Sequence, residues 1–179
     1  MKSYLLAPAI LLTLTSINTY ADSYNCQKIT GQLAPLTPDA SCRILLAKAN
    51  HFPETTFVAE SAPSALGVCF SGQLTATLGA NNIPISGKSY SGITQNTIGQ
   101  LTAASAIELY SGTVVNVSNA LGKIYTKDIV ISPQVNTIEI LTMIGGSNTF
   151  NGGHGVLEVA GNALSQTVNF TGMICTQKD

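Results

Sequence analysis

Residues 68–78 read VCFSGQLTATL, a stretch in which apolar and polar side chains alternate. Phe70, Leu74, Ala76 and Leu78 fall in one alternation phase, and Cys69 falls in the other with the polar residues. Because successive side chains of a strand point to opposite faces, the pattern predicts a strand with one buried face and Cys69 on the opposite face.

Residues 167–175, TVNFTGMIC, repeat this pattern near the other end of the chain. Their apolar phase holds Val168, Phe170 and Ile174, and Cys175 again lies with the polar residues. A bridge between Cys69 and Cys175 would hold the first and last strands of this region side by side. Pairing of the first and last strands is what closes a sheet into a barrel.

The other two cysteines, Cys26 and Cys42, lie in the N-terminal part of the chain, and their shared location favours a second bridge between them. Four cysteines allow three connectivities, so the count alone does not select one. The chain has no Cys-x-x-Cys pair and no histidine near a cysteine, which disfavours zinc. We expect disulfides and neither a metal nor a cofactor.

The first 21 residues have the layout of a secretory signal peptide. One positive charge at Lys2 precedes a short apolar run over residues 4–15, and Ala21 supplies a small residue for cleavage. Removal of residues 1–21 leaves 179 − 21 = 158 residues, with no later apolar stretch long enough to cross a bilayer as a helix. We therefore expect a secreted or periplasmic protein with oxidised cysteines.

The composition disfavours a nucleic-acid partner. Charged residues make up 9% of the chain, the formal net charge is −1, and no cluster of Lys or Arg is present. Phosphate backbones are bound by concentrated positive charge, which this chain lacks. Apolar residues reach 45%, which is enough for a folded core.

Two regions follow the signal peptide. Residues 22–66, which contain four prolines, form a predicted N-terminal extension with one candidate strand at 24–33 and a strand or short helix at 41–49. Residues 67–179 form a predicted all-β domain. Its eight predicted strands span residues 67–78, 83–92, 101–110, 113–118, 122–131, 136–144, 154–161 and 165–175.

Short connections between these strands indicate an antiparallel meander, because parallel strands need long crossovers. A barrel is the favoured architecture, and a two-sheet sandwich is the alternative. A membrane-embedded barrel is disfavoured because the chain has no Trp and only 6% aromatic residues.

Residues 144–161, IGGSNTFNGGHGVLEVAG, contain two glycines that close a strand, an aromatic residue, a glycine-rich turn and a further strand. The predicted turn glycines are Gly145, Gly146, Gly152, Gly153 and Gly155. This hairpin, together with residues 124–128 after Gly122, resembles the allene oxide cyclase and dirigent-like barrels. The resemblance covers residues 67–175 and implies an eight-stranded antiparallel up-and-down barrel whose first and last strands pair.

Motifs for common chemistries are weak. The glycine-rich stretch leads into a strand and contains no Lys, which favours a tight hairpin over a phosphate site. His51 and His154 are far apart, with His154 at a predicted turn tip, and no Gly-x-Ser-x-Gly elbow is present.

Four acids fall inside predicted strands: Glu108, Asp128, Glu139 and Glu158. Glu139 alternates with Leu141 and Met143, and Glu158 with Val156 and Ala160, so these two are the best placed to face a barrel interior. Exposure is still the ordinary expectation for each, and they are weak catalytic candidates. The cavity glutamate that the resemblance implies for the first strand has no counterpart, because residues 67–78 contain no acid.

The expected function is that of a non-enzymatic binding module for a small apolar ligand or a protein partner. The alternative is a cyclase or isomerase of a reactive lipid, similar to allene oxide cyclase, with Glu139 or Glu158 supplying electrostatics.

Overall fold

A computed structural model describes residues 23–61, 67–95, 101–131 and 137–178. The predicted signal peptide and the predicted turns at 97–100 and 132–134 lie outside these residues. The strands are β1 Tyr24–Leu33, β2 Thr37–Pro38, β3 Cys69–Leu78, β4 Ile83–Thr94, β5 Thr102–Ser111, β6 Ala120–Ile131, β7 Ile138–Gly146, β8 His154–Ala160 and β9 Val168–Gln177. The helix α1 spans Leu45–His51, and 3-10 turns span Val58–Glu60, Val117–Asn119 and Asn148–Phe150.

Eight of these strands form a closed antiparallel barrel, which confirms the predicted fold class. Strands β3 to β9 pair in chain order, and β1 pairs with both β9 and β3 to close the sheet. The two-residue strand β2 pairs along the start of β3. Within the described residues, no helix has the length and apolar character needed to cross a bilayer.

The closing strand differs from the prediction. Cys69 lies on β3 and Cys175 on β9, and β1 lies between these two strands. β1 pairs ten residues with β9 and five with β3, so residues 24–33 belong to the barrel although we had placed them in the extension. The predicted strand at 113–118 is instead a connection that ends in the turn Val117–Asn119.

The disulfide pairing also differs. All four cysteines are bonded, as predicted, but the bridges are Cys26–Cys175 and Cys42–Cys69, so both predicted pairs are wrong. The β1–β9 register places Cys26 directly opposite Cys175, with their Cα atoms 3.9 Å apart. Because β1 supplies the closing strand, Cys175 meets the cysteine of β1 and not that of β3.

Side chains fill the centre of the barrel. The alternation in each strand sends Leu74, Leu109, Ile124 and Leu141, among others, into one apolar core. Inward-facing glycines make room for them; at Gly87, for example, an added Cβ would lie 3.1 Å from the side chains of both Leu74 and Leu109. The remaining central void has a volume of about 30 Å³, comparable to the volume that one water occupies.

The extension covers part of the barrel's outer surface. Phe52 and Phe57 are fully buried and pack with Ile44 and Tyr125 in a second apolar cluster that also holds Cys42, Cys69, Ala104 and Ala106. Residues 41–49 were predicted as a strand or a short helix, and residues 45–49 form most of the helix α1. Cys69 is therefore buried on the outward face of β3, and the predicted alternation phase is confirmed.

Four of the predicted turn glycines lie near a β7–β8 connection that carries Phe150 into the core. Gly145 and Gly146 end β7, and Gly152, with φ of +64°, lies in the turn. The prediction of Gly155 as a turn residue is wrong, because Gly155 lies within β8. An added Cβ at this position would lie 2.3 Å from the carbonyl oxygen of Met173. The strands pack too closely there for a side chain.

Candidate functional site

A pocket of about 140 Å³ opens at one end of the barrel, where β4, β6 and β8 end and β5 and β7 begin. Its wall is mainly apolar, with a few polar groups. The lining residues are Leu36, Phe70, Ser91, Gly92, Ile93, Leu101, Ala103, Val130, Thr137, Glu139, Gly161, Asn162, Ala163 and Leu164. Leu101 and Leu164 are 40% and 55% exposed, so the apolar lining continues to the protein surface.

Glu139 is the ionisable residue of this lining. It faces inward on β7, with Val130 opposite on β6 and Val159 opposite on β8. No ion pair joins it to another described residue. Burial, and then the negative charge of Asp128, raise the pKa of Glu139 far above that of an ordinary glutamate.

Asp128 lies deeper in the barrel and is 1% exposed. Ser105 Oγ donates a hydrogen bond of 2.6 Å to Asp128 Oδ2. The hydroxyl of Ser91, which lines the pocket, lies 2.7 Å from that of Ser105. A chain of three polar groups thus connects the pocket wall with a buried carboxyl group.

The carboxyl group of Asp128 is only partly satisfied. Its Oδ1 atom and the Oγ1 atom of Thr126 are buried, and neither makes a hydrogen bond of regular geometry among the described residues. Burial raises the pKa of Asp128, and hydrogen bonding from the hydroxyls of Ser105 and Thr126 opposes that rise. Two like charges in a poorly solvated site repel each other, so Asp128 and Glu139 titrate as a pair and favour retaining a proton.

The other two acids lie outside the barrel. Glu158 is exposed on β8, because Leu157 and Val159 take the inward positions and Val156 and Ala160 share the outer face with Glu158. Glu108 pairs with Lys123 at 2.8 Å and accepts a 3.0 Å hydrogen bond from Tyr110. Of the two candidates singled out from the sequence, the pocket contains Glu139 and not Glu158.

The histidines lie away from the pocket. His51 stacks on Tyr125 with ring centroids 3.5 Å apart. His154, predicted at a turn tip, is the first residue of β8 and packs edge-to-face with Tyr24 at 4.5 Å. Among the residues that the structure describes, no group of three or more His, Cys, Asp or Glu side chains is placed to hold a metal ion.

Sequence reasoning missed the connection between Asp128, Ser105 and Ser91. A usable signal was present, because Ser89 and Ser91 share an alternation phase with Ile85, and Ser105 shares one with Ile107 and Leu109. Polar residues in an apolar phase indicate a buried polar network.

The chain matches no protein-family model, and none of the curated proteins matches it.

Proposed function

We propose that the protein is an exported, non-enzymatic binding module whose barrel-end pocket accepts a small apolar group. The observation that carries this proposal is the apolar pocket of about 140 Å³ with Glu139 in its wall. Two disulfides fit an exported protein, as does the predicted signal peptide.

The volume sets the size of the occupant. A cavity of about 150 Å³ is large enough for a benzene ring, whereas pockets for drug-sized ligands measure about 300–1,000 Å³. The barrel centre adds no room, since its void is about 30 Å³. The pocket therefore suits a single ring or a short branched chain, carried by a small molecule or by a side chain of a partner protein.

Glu139 sets the polarity of the occupant. Its raised pKa favours the protonated form near neutral pH, in which the carboxyl group donates one hydrogen bond. A neutral acceptor such as a hydroxyl or carbonyl oxygen would meet this donor without the cost of burying a charge.

The alternative is a cyclase or isomerase of a reactive lipid that resembles allene oxide cyclase. An inward carboxyl group in an apolar pocket favours this alternative, because such a group can act in general acid catalysis. The pocket volume disfavours it, since a folded lipid needs far more than 140 Å³.

Titration of the mature chain, residues 22–179, with benzene and with phenol, followed by amide NMR, tests the proposal. We expect saturable amide chemical-shift changes at the end of the barrel that holds the pocket, in the last residues of β4 and β6 and the first residues of β5 and β7. Ala103→Leu, which fills the pocket, should abolish them, and Ala80→Leu in the turn at the opposite end should not. Glu139→Gln should keep benzene binding and alter phenol binding about two- to tenfold, the effect of one changed hydrogen bond.

Shifts that survive in Ala103→Leu would exclude this pocket as the site. Conversion of an unsaturated fatty-acid epoxide to a cyclic product by the wild type, but not by Glu139→Gln, would favour the enzyme alternative. Native mass spectrometry of the protein from its exported fraction adds a direct observation of any co-purifying ligand.

A further inference from the structure

The outer surface of the barrel has two apolar regions, and the extension covers only one of them. The second lies on the outward faces of β6, β7 and β8, and we call it the β6–β8 outer face. It consists of Ile129, Ile131, Ile138, Ile140, Val156 and Ala160. Four of these side chains are between 38% and 48% exposed: Ile129, Ile131, Ile138 and Val156.

The strand register makes this face continuous. Ile129 lies opposite Ile140, and Ile131 lies opposite Ile138. On β9, Met173 is 46% exposed and lies opposite Val156, so it continues the apolar face. The outer surface beside it is polar: Thr171 contacts Thr30 at 3.3 Å between hydroxyls, and Gln32 donates to Asn169 at 3.3 Å. A contiguous exposed apolar patch with a polar boundary is typical of an interaction surface.

Two charges of opposite sign flank the centre of the face. Glu158 lies on β8 opposite Ile140, and Lys127 lies on β6 opposite Thr142, so the two residues stand on either side of β7. Both are exposed, and no ion pair joins either one to a described residue. At a strand spacing of about 4.8 Å and an offset of two residues along the strands, their Cα atoms are about 12 Å apart.

We propose that the β6–β8 outer face is a dimerisation surface on which a second copy of the chain packs, with Lys127 of each copy against Glu158 of the other. A twofold axis in the interface plane places Lys127 of one copy over Glu158 of the other and Glu158 of the first over Lys127 of the second. The interface would therefore contain two equivalent ion pairs around an apolar centre. Such an isologous contact needs a surface that is complementary to itself, and one positive and one negative charge flanking apolar residues meet that requirement.

A second copy fits this face better than a lipid surface does. A carboxylate in the middle of a face buried in acyl chains would lose its hydration without gaining a partner. Surfaces that bind lipid also favour basic residues around an apolar patch, whereas Glu158 lies within this one.

The dimer should be weak. Three rows of residues on three strands cover roughly 13 by 10 Å between Cα positions, and side chains extend this footprint. The total stays below the roughly 800 Å² per partner of a standard interface. We expect a dissociation constant in the micromolar range, on the order of 10–100 µM.

Sedimentation equilibrium of residues 22–179 between about 1 and 500 µM tests the proposal. We expect a reversible monomer–dimer equilibrium. Glu158→Lys and Lys127→Glu, each of which places like charges together, should each weaken the dimer about tenfold or more. The double variant carrying both substitutions restores opposite charges and should return the dissociation constant to within about threefold of the wild type. Lys28→Glu, on β1 and outside the three strands of the face, is the matched control and should change nothing.

All of these residues are exposed, so circular dichroism and melting temperature should stay unchanged and misfolding would be recognised. A monomer at every concentration would overturn the proposal, as would a dimer that both single variants leave intact. Sedimentation of the wild type with phosphatidylcholine vesicles would assign the face to a membrane and also contradict it. The result is independent of pocket binding, since Ala103→Leu should dimerise as the wild type does.

Discussion

Asp128 shows how one buried side chain controls the pH response of the barrel. Burial raises its pKa from 3.8 to about 6, and burial together with the Asp128 charge raises the pKa of Glu139 from 4.5 to about 8. An acid whose pKa is raised on folding stabilises the fold fully at pH values below its unfolded pKa. That stabilisation is lost as the pH rises through the folded pKa, here between about pH 4 and pH 8.

We therefore expect Asp128→Asn to become more stable than the wild type as the pH rises. Asparagine keeps an acceptor for Ser105 and can place its amide donor towards the hydroxyl oxygen of Thr126. The gain in the free energy of unfolding should be near zero at pH 4 and about 2–3 kcal/mol at pH 9. Urea unfolding at several pH values measures it.

The informative quantity is the difference in the free energy of unfolding between Asp128→Asn and the wild type. His51 changes stability with pH in the opposite direction, and because it is present in both proteins its contribution cancels in this difference. Burial, and then Lys123, lower the pKa of His51, so its contribution to stability grows as the pH rises. Glu54→Gln, which neutralises an exposed acid, is the control variant. A flat difference for Asp128→Asn would mean that the pKa of Asp128 is the same in the folded and the unfolded chain.

At the same scale, the sequence ranked Glu139 and Glu158 as the acids best placed to face inward, with exposure as the ordinary expectation for each, and of the two only Glu139 lies in the inward phase. Glu139 shares the inward phase of β7 with the buried Leu141 and Met143. Both β7 and β8 are apolar on both faces, with Ile138 and Val156 outside and Leu141 and Leu157 inside. Alternation identifies two faces, but when both are apolar only the neighbouring strands determine which of them is inside.

At the scale of elements, the two disulfides should contribute differently. Cys26–Cys175 joins adjacent barrel strands and closes a loop of 149 residues, whereas Cys42–Cys69 closes 27 residues and fastens the extension to β3. In the chain-entropy model these loops are worth about 5 and about 3.5 kcal/mol.

We expect Cys26→Ala with Cys175→Ala to lower global stability more than Cys42→Ala with Cys69→Ala does. The second double variant should also raise hydrogen exchange in α1 while β7 to β9 stay protected, since the extension packs on the outside of the barrel. Hydrogen-exchange mass spectrometry with urea unfolding measures both effects. If hydrogen exchange in the Cys42→Ala, Cys69→Ala variant rose as much in β7 to β9 as in α1, the extension and the barrel would unfold as one unit.

The elements also show where sequence reasoning reached its limit. Most strands lie within a few residues of their predicted positions, because period-two alternation and turn residues are local signals. Residues 113–118 are rich in β-branched side chains but pair with no strand of the described residues, and Val114 and Val117 are 66% and 87% exposed. β1 was identified as a candidate strand, yet its place in the barrel depends on partners about 45 and 140 residues away, and no local pattern encodes that distance.

At the scale of the whole molecule, the barrel depends on its N-terminal strand for closure. β1 is the sole link between β3 and β9 among the described residues, and it fills the gap with inward-facing Ile29 and Leu33. Without β1, the sheet would have two long unpaired edges and an open apolar interior. Such edges are a recognised route to aggregation.

A chain that begins at residue 35 should therefore fail to give a soluble monomer, and a separate peptide of residues 22–34 supplied during refolding should restore one. Size-exclusion chromatography with light scattering provides the measurement. The full-length Cys26→Ala, Cys175→Ala variant is the control: it should remain a folded barrel, which shows that the strand and not the bridge is required. A soluble, folded monomer from residue 35 onward would mean that β3 and β9 can pair directly, as the alternation of Cys69 and Cys175 first suggested, and that a seven-stranded closure is available to this sequence.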